Sequence, residues 1–213
     1  MIQAVIFDIG GVLIRTTDPG PRRRMEERLG LEAGAAEHIV FNSAGGLAAQ
    51  RGEFTEEQNW RRVQAELRLS DDDLALFRGQ FWAGDTLDTA LVDYIRTLRG
   101  RCQTAIISNA MPGLMALLTG KHPIADAFDV IIGSGDAGVA KPDPAIYHLA
   151  LAKLGRKPEE AIFIDDSARN IEGAQAVGLH TIHYLPGMDL IAEVEAALAG
   201  RRRLGAGGMQ QAG

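Results

Sequence analysis

The sequence predicts an α/β protein: a parallel sheet with an all-helical insertion after its first strand. Three observations predict it. Five short apolar runs recur along the chain, each ending in small or acidic residues: AVIFDIG from Ala4, TAIISNA from Thr104, DVIIGS from Asp129, AIFIDD from Ala161 and HTIHY from His180. Their β-branched residues do not alternate with polar ones, the pattern of strands covered on both faces. Helical patterns separate the later runs, which is the βαβ signature of a parallel sheet. The stretch from Arg15 to Gly84, roughly 70 residues, shows helix starts and no convincing strand.

The elements follow in order. The first strand stops at Asp8, ahead of Ile9, Gly10 and Gly11. In the insertion, Thr55 with Gln58 fits a capping box, and Ser70 precedes three aspartates that fill a first helical turn. Trp60, Val63 and Leu67 mark one helical face. Leu87, Leu91, Tyr94, Ile95 and Leu98 form an apolar stripe ending at Gly100. Pro112 opens the helix carrying Leu114, Leu117 and Leu118. Asp143 and Pro144 are an N-cap with proline at the first helical position, and Gly155 closes that helix. Ser167 caps the helix through Ile171 and Ala174, which stops at Gly178. Beyond Ala197 the apolar period is lost. The expected organisation is a sheet domain over 1–14 and 86–198, a helical domain over 15–85, and a disordered tail over 199–213.

The bulk numbers set limits. The chain has 213 residues, a formal charge of −6, 46% hydrophobic and 23% charged residues. That mild acidity argues against a nucleic-acid surface. A lone Cys102, at the start of a strand, excludes an internal disulfide, and intracellular life fits best. The apolar stretch before Asp8 is too short for a signal peptide, and no run approaches a membrane span. A soluble cytoplasmic protein is expected, without membrane or nucleic-acid partners, as monomer or homodimer. No GxGxxG or GxxxxGK[ST] pattern follows a strand, which argues against nucleotide cradling of those kinds.

In a parallel α/β sheet, ligands bind beyond the carboxyl ends of the strands. Those ends carry Asp8, then Ser108 with Asn109, then Asp165 with Asp166, while Lys141 lies in the loop leaving the DVIIGS strand. Taken singly, each has an ordinary structural role: strand terminator, loop pair, solvated lysine, acids at a helix start. Their order, each at a strand end, is the stronger signal. Three carboxylates against one ammonium leave about two negative charges in a small space. Like charges about 4 Å apart repel by roughly 4 kcal/mol at an effective dielectric of 20. Such a site needs a divalent cation or raised pKa values. Oxygen-only donors point to Mg²⁺ rather than zinc. With Mg²⁺ and Lys141 in place, the site can accept a phosphate dianion.

The ordered set FDIGG, IISNA, KPDPAIY and FIDDSARNIEGAQAVGL resembles the four motifs of the haloacid dehalogenase (HAD)-like hydrolase superfamily, phosphatase type. The match covers about two thirds of the chain. The resemblance implies a Rossmann-like HAD core, and the helical insertion is similar to the C1 cap of subfamily I. It implies that Asp8 is the nucleophile of an aspartyl-phosphate mechanism, with Ser108 and Lys141 as its catalytic partners. Gly10, Gly11, Ser108, Asn109 and Lys141 would bind the phosphoryl group of a small phosphorylated metabolite, a sugar phosphate among the candidates. Mg²⁺ would be held by Asp8, the carbonyl of Gly10, Asp165 and Asp166. The family's caps choose the substrate, so Arg15, Thr16, Arg51, Trp60 and Arg61 are groups that could face the site, none of them assigned.

Position 10 departs from the pattern. Most phosphatases of the superfamily carry a second aspartate there, which protonates the leaving oxygen and then activates water. Glycine does neither, at a cost of about 10²–10⁴-fold on poor leaving groups. The same gap keeps two alternatives open: a 2-haloacid dehalogenase, which needs no metal, and a HAD-fold binding protein without turnover. Asp165 and Asp166 favour the phosphatase.

Overall fold

The computed structural model describes residues 1–200. Its strands are β1 Ala4–Phe7, β2 Ile14–Thr16, β3 Asp85–Leu87, β4 Gln103–Ser108, β5 Val130–Gly133, β6 Ala161–Asp165 and β7 His180–His183. Five of them form one parallel sheet in the order β5-β4-β1-β6-β7. The five apolar runs supply these five strands. β1 lies at the centre, pairing Phe7 with Ile106 on one side and Ile164 on the other. All four of its residues are buried, as are those of β6.

Successive side chains of a strand point to opposite faces, and each face has its own core. Val5, Phe7, Ile106 and Ile164 pack under the helices Thr89–Thr97 and Leu190–Leu198. Ile6, Ile107 and Phe163 pack under Pro144–Leu154 and Ala168–Val177. Burying each such side chain contributes about 1.5–3 kcal/mol. This double covering explains the unalternating runs. It also makes the sheet a rigid platform whose carboxyl ends all open to one edge.

Between β2 and β3 lie the helices Gly20–Arg28, Ala44–Gln50, Glu56–Leu67 and Asp71–Trp82, the first two joined through short helical pieces at Ala35–Glu37 and His38–Asn42. Met25, Trp60, Val63, Leu74, Phe77 and Phe81 form a core separate from the two beside the sheet. The caps form here as read. Gln58 N donates to Thr55 Oγ1 at 3.2 Å, Thr55 N to Gln58 Oε1 at 2.8 Å, and Asp73 N to Ser70 Oγ at 3.1 Å.

Four details differ from expectation. The stretch from residue 15 is not strandless: β2 and β3 pair antiparallel, Ile14 with Leu87 and Thr16 with Asp85, tying the two ends of the insertion together. Leu87 therefore belongs to this ribbon, while Leu91, Ile95 and Leu98 keep the buried stripe. Pro112 lies outside its helix, which begins at Leu114 behind Gly113 in a left-handed conformation. Ser167 occupies an N-cap position without a side-chain cap bond; Asp165 Oδ1 accepts the Ser167 N–H instead, at 2.8 Å. Of the expected tail, residues 201–213 lie outside the described residues.

Candidate active site

The site is built from three strand ends and one loop. Asp8 follows β1 directly, and its N–H continues the ladder to the Ile164 carbonyl at 2.9 Å. Its carboxylate is turned by a hydrogen bond from Ile9 N to Oδ1 at 2.7 Å. Asp165 ends β6 with no exposure, and Asp166 comes next, exposed. Ser108 ends β4, buried, and its hydroxyl has no hydrogen-bond partner among the described residues.

Lys141 joins these parts. Its side chain is fully buried and its Nζ lies 2.8 Å from Asp8 Oδ1, 2.7 Å from Asp165 Oδ2 and 3.0 Å from the Ile107 carbonyl. An ammonium has three protons, and these three acceptors use them all. A buried charge without such partners would be very costly.

The lysine is itself held by a residue read from sequence only as a phosphate ligand. Lys141 N donates to Asn109 Oδ1 at 2.8 Å, and Asn109 Nδ2 donates to the Lys141 carbonyl at 3.0 Å. Asp165 is oriented by a residue the sequence reading missed altogether. Asn170 Nδ2 donates to both Asp165 oxygens at 3.1 Å, from the first turn of the helix that follows. Its only sequence signal is an amide five residues beyond an aspartate, in DDSARN. His183 Nε2 lies 3.0 Å from the Asp166 carbonyl and steadies that segment.

The electrostatics follow from burial. Burial first, then Asp165, pushes the Asp8 carboxyl up to about 7, against the pull of Lys141. Asp166 is also pushed up, by the packing around it and by Asp165. For Lys141, burial acts to lower the pKa, but Asp8 and Asp165 outweigh it and raise the ammonium above its ordinary value. Lysine therefore stays charged, and the crowding of negative charge shows in the raised carboxyls of Asp8 and Asp166.

Asp8, Asp165 and Asp166 each offer a carboxylate oxygen, all within 4.8 Å of one another. These are hard donors around a net negative site, which fits a hard divalent cation such as Mg²⁺. Gly10 fits the same set. The local bridge runs through Gly11 N to Ile14 O and Ile14 N to Ile9 O, which leaves the amide and carbonyl of exposed Gly10 out of it.

Gly11 is placed differently from expectation. Its N–H, expected to meet the phosphoryl group, here donates to the Ile14 carbonyl at 2.9 Å. Its importance is spatial. It takes φ +73°, and a Cβ there would collide with the Asp166 carboxylate.

A cavity of about 1570 Å³ opens over these groups, between the strand ends and the helical insertion. Arg15 and Thr16 line it. Arg15 bridges Tyr184 and Asp88, linking the ribbon to the sheet domain. The other candidates from the insertion do not face the site. Trp60 is buried in the insertion core, Arg51 pairs with Glu53 at 2.8 Å, and Arg61 pairs with Glu57 and Asp71 on the surface.

A family model described as haloacid dehalogenase-like hydrolase matches residues 2–178. The chain belongs to this family. It is thus a hydrolase with a HAD core and a helical insertion. The phosphoglycolate phosphatase of Yersinia pseudotuberculosis is 30% identical over 185 residues, covering 83% of this chain and 78% of that protein. The sesquiterpene phosphatase astK of Aspergillus oryzae is 26% identical over 182 residues, covering 85% and 89%. Other relatives are much longer: the chain spans 7% of mouse acyl-CoA dehydrogenase family member 10 and 34% of the drimenol cyclase drtB of Aspergillus calidoustus. Among solved structures, a HAD-like hydrolase from Porphyromonas gingivalis superposes with a TM-score of 0.75 at 25% identity, covering 93% of this chain and 98% of that one. A HAD enzyme from Bacteroides thetaiotaomicron, solved with magnesium and inorganic phosphate, superposes with a TM-score of 0.74 at 22% identity, covering 89% and 97%. No helix among the described residues is long and apolar enough to cross a membrane.

Proposed function

We propose that this hydrolase is a Mg²⁺-dependent phosphatase acting on phosphorylated metabolites, with Asp8 as the nucleophile. The observation that carries this reading is the buried chain Asp8–Lys141–Asp165, with Asp166 completing the oxygen donors beside it. Kinship with the phosphatases of Yersinia and Aspergillus supports it.

The residues divide the work as follows. Asp8 Oδ attacks phosphorus, and the bond from phosphorus to the leaving oxygen breaks. Lys141 holds Asp8 in place and balances charge on the phosphoryl group. The Ser108 hydroxyl, without a hydrogen-bond partner among the described residues, donates to a phosphoryl oxygen. Asn109 acts chiefly by fixing Lys141, and Asn170 by fixing Asp165. Water then attacks the phosphorus of the aspartyl phosphate and releases inorganic phosphate. Asp8, Asp165, Asp166 and the Gly10 carbonyl would hold Mg²⁺, which when bound supplies positive charge against the phosphoryl oxygens.

The alternatives separate on one pair of assays. A chromogenic phosphate ester should be cleaved by the native protein with Mg²⁺, and neither by the native protein after chelation nor by Asp8→Asn. Undiminished activity of Asp8→Asn would reject Asp8 as nucleophile, and metal-independent release of halide from a 2-haloacid would favour a dehalogenase.

A further inference from the structure

The geometry points to a narrower substrate for this site: a diphosphate of an apolar alcohol, cleaved at its P–O–P bond. The inference rests on the phosphatase reading and adds what the leaving group must be. Two independent observations carry it.

The first is the character of the cavity. Small-molecule sites commonly enclose about 300–1,000 Å³. Here about 1570 Å³ stands open above one phosphoryl position. Phe41, Leu47 and Trp82 of the insertion line it, with Leu117, Leu185 and Met188 of the sheet domain. Leu47, Leu117 and Leu185 are 41%, 37% and 52% exposed. They are three of the seven large hydrophobic side chains exposed among the described residues, and all three line this cavity. Exposed apolar side chains gathered around one cavity suit an apolar ligand better than bulk solvent.

The charged groups around it agree. Arg15 is tied to Asp88, Arg22 to Glu37 and Asp85, and Arg78 to Glu57. Lys121 and Arg169 line the same cavity and have no ion pair among the described residues, which suits the added charge of a second phosphate.

The second observation is Gly10. With no acid two residues beyond Asp8, an alcohol would have to depart as an alkoxide, about as basic as hydroxide. A phosphate leaves far more readily, since its second pKa is about 6. In the inferred step, Asp8 Oδ attacks the terminal phosphorus and the terminal P–O bond of the bridge breaks. The electron pair stays on the bridging oxygen, and the apolar monophosphate departs without a proton. Water then hydrolyses the aspartyl phosphate. The cavity walls hold the apolar body while this occurs.

The test measures phosphate release from farnesyl diphosphate, methyl diphosphate, farnesyl monophosphate and a chromogenic phosphate ester. Each buried methylene contributes about fourfold, so kcat/KM for farnesyl diphosphate should exceed that for methyl diphosphate by tenfold or more. It should exceed that for farnesyl monophosphate by about 10²-fold or more, the scale of the missing acid. Leu185→Glu should lower the farnesyl-to-methyl ratio about tenfold. Equal rates across the diphosphates, or a monophosphate cleaved as fast as the diphosphate, would overturn the inference while leaving the phosphatase reading intact. Failure on the chromogenic ester as well would remove that reading, and the inference with it.

Discussion

The side-chain amide of Asn109 grips the backbone of Lys141 from both sides, accepting from its N–H at 2.8 Å and donating to its carbonyl at 3.0 Å. That clamp places an ammonium that touches both Asp8 and Asp165. An end-of-strand asparagine thus sets the position of a lysine 32 residues away.

Asn109→Ala should therefore act on turnover more than on binding. The lysine stays buried and charged but loses its fixed approach to Asp8, and misplacement on the scale of an ångström can cost about 10²-fold. We expect kcat to fall by about 10–100-fold, with Mg²⁺ affinity nearly unchanged. Steady-state kinetics and Mg²⁺ titration check this together. A fall in Mg²⁺ affinity without loss of kcat would contradict the assigned role.

The raised pKa of Asp8 makes metal binding depend on pH. Between the ordinary carboxyl value of 3.8 and about 7, the metal-free fold holds a proton that the unfolded chain has given up. Protonated Asp8 therefore favours the metal-free fold at low pH, and that contribution is lost as pH rises through this window. Mg²⁺ takes the proton's place, so its affinity should weaken by about tenfold per unit of pH below 7. The gain in Tm on adding Mg²⁺ should correspondingly grow from pH 5.5 to pH 8. Affinity that is flat across this range would show that Asp8 ionises normally.

The adjacent glycines should respond oppositely to substitution. Nothing lies within 4 Å of a Cβ at Gly10, whereas one at Gly11 meets the Asp166 carboxylate at a left-handed φ of +73°. Gly11→Ala should displace Asp166 and weaken Mg²⁺ binding by tenfold or more. Gly10→Asp should fold normally and raise kcat on alkyl monophosphates, because it supplies the missing proton donor. Thermal melts, Mg²⁺ titrations and rates on methyl phosphate distinguish the two. A Gly11→Ala protein with native metal affinity would contradict the packing argument, and an unchanged rate in Gly10→Asp the acid–base one.

The sheet was legible because its strands are buried on both faces. A run such as AIFID can be little else once helices flank it. β2 and β3 were illegible because three residues cannot display a period, and their pairing spans the entire insertion. Asp8, Asp165 and Asp166 were legible as residue types at strand ends, and Lys141 as a lysine in the loop beyond another strand. Their supports were not. Asn170 reaches Asp165 only because the helix turns back over the strand end, and Gly11 matters only because Asp166 packs against it. The apolar wall was hidden for the same reason, since Leu47 and Leu117 come from two separate helices and Leu185 from the loop after β7.

The central claim is that Asp8 itself takes the phosphoryl group. The direct measurement is an acid quench during turnover, followed by mass spectrometry of the peptide containing residue 8. A phosphoryl group on Asp8, absent from Asp8→Asn, is the predicted result. Phosphate released at full rate with Asp8 never modified, or with the group on another side chain, would contradict it.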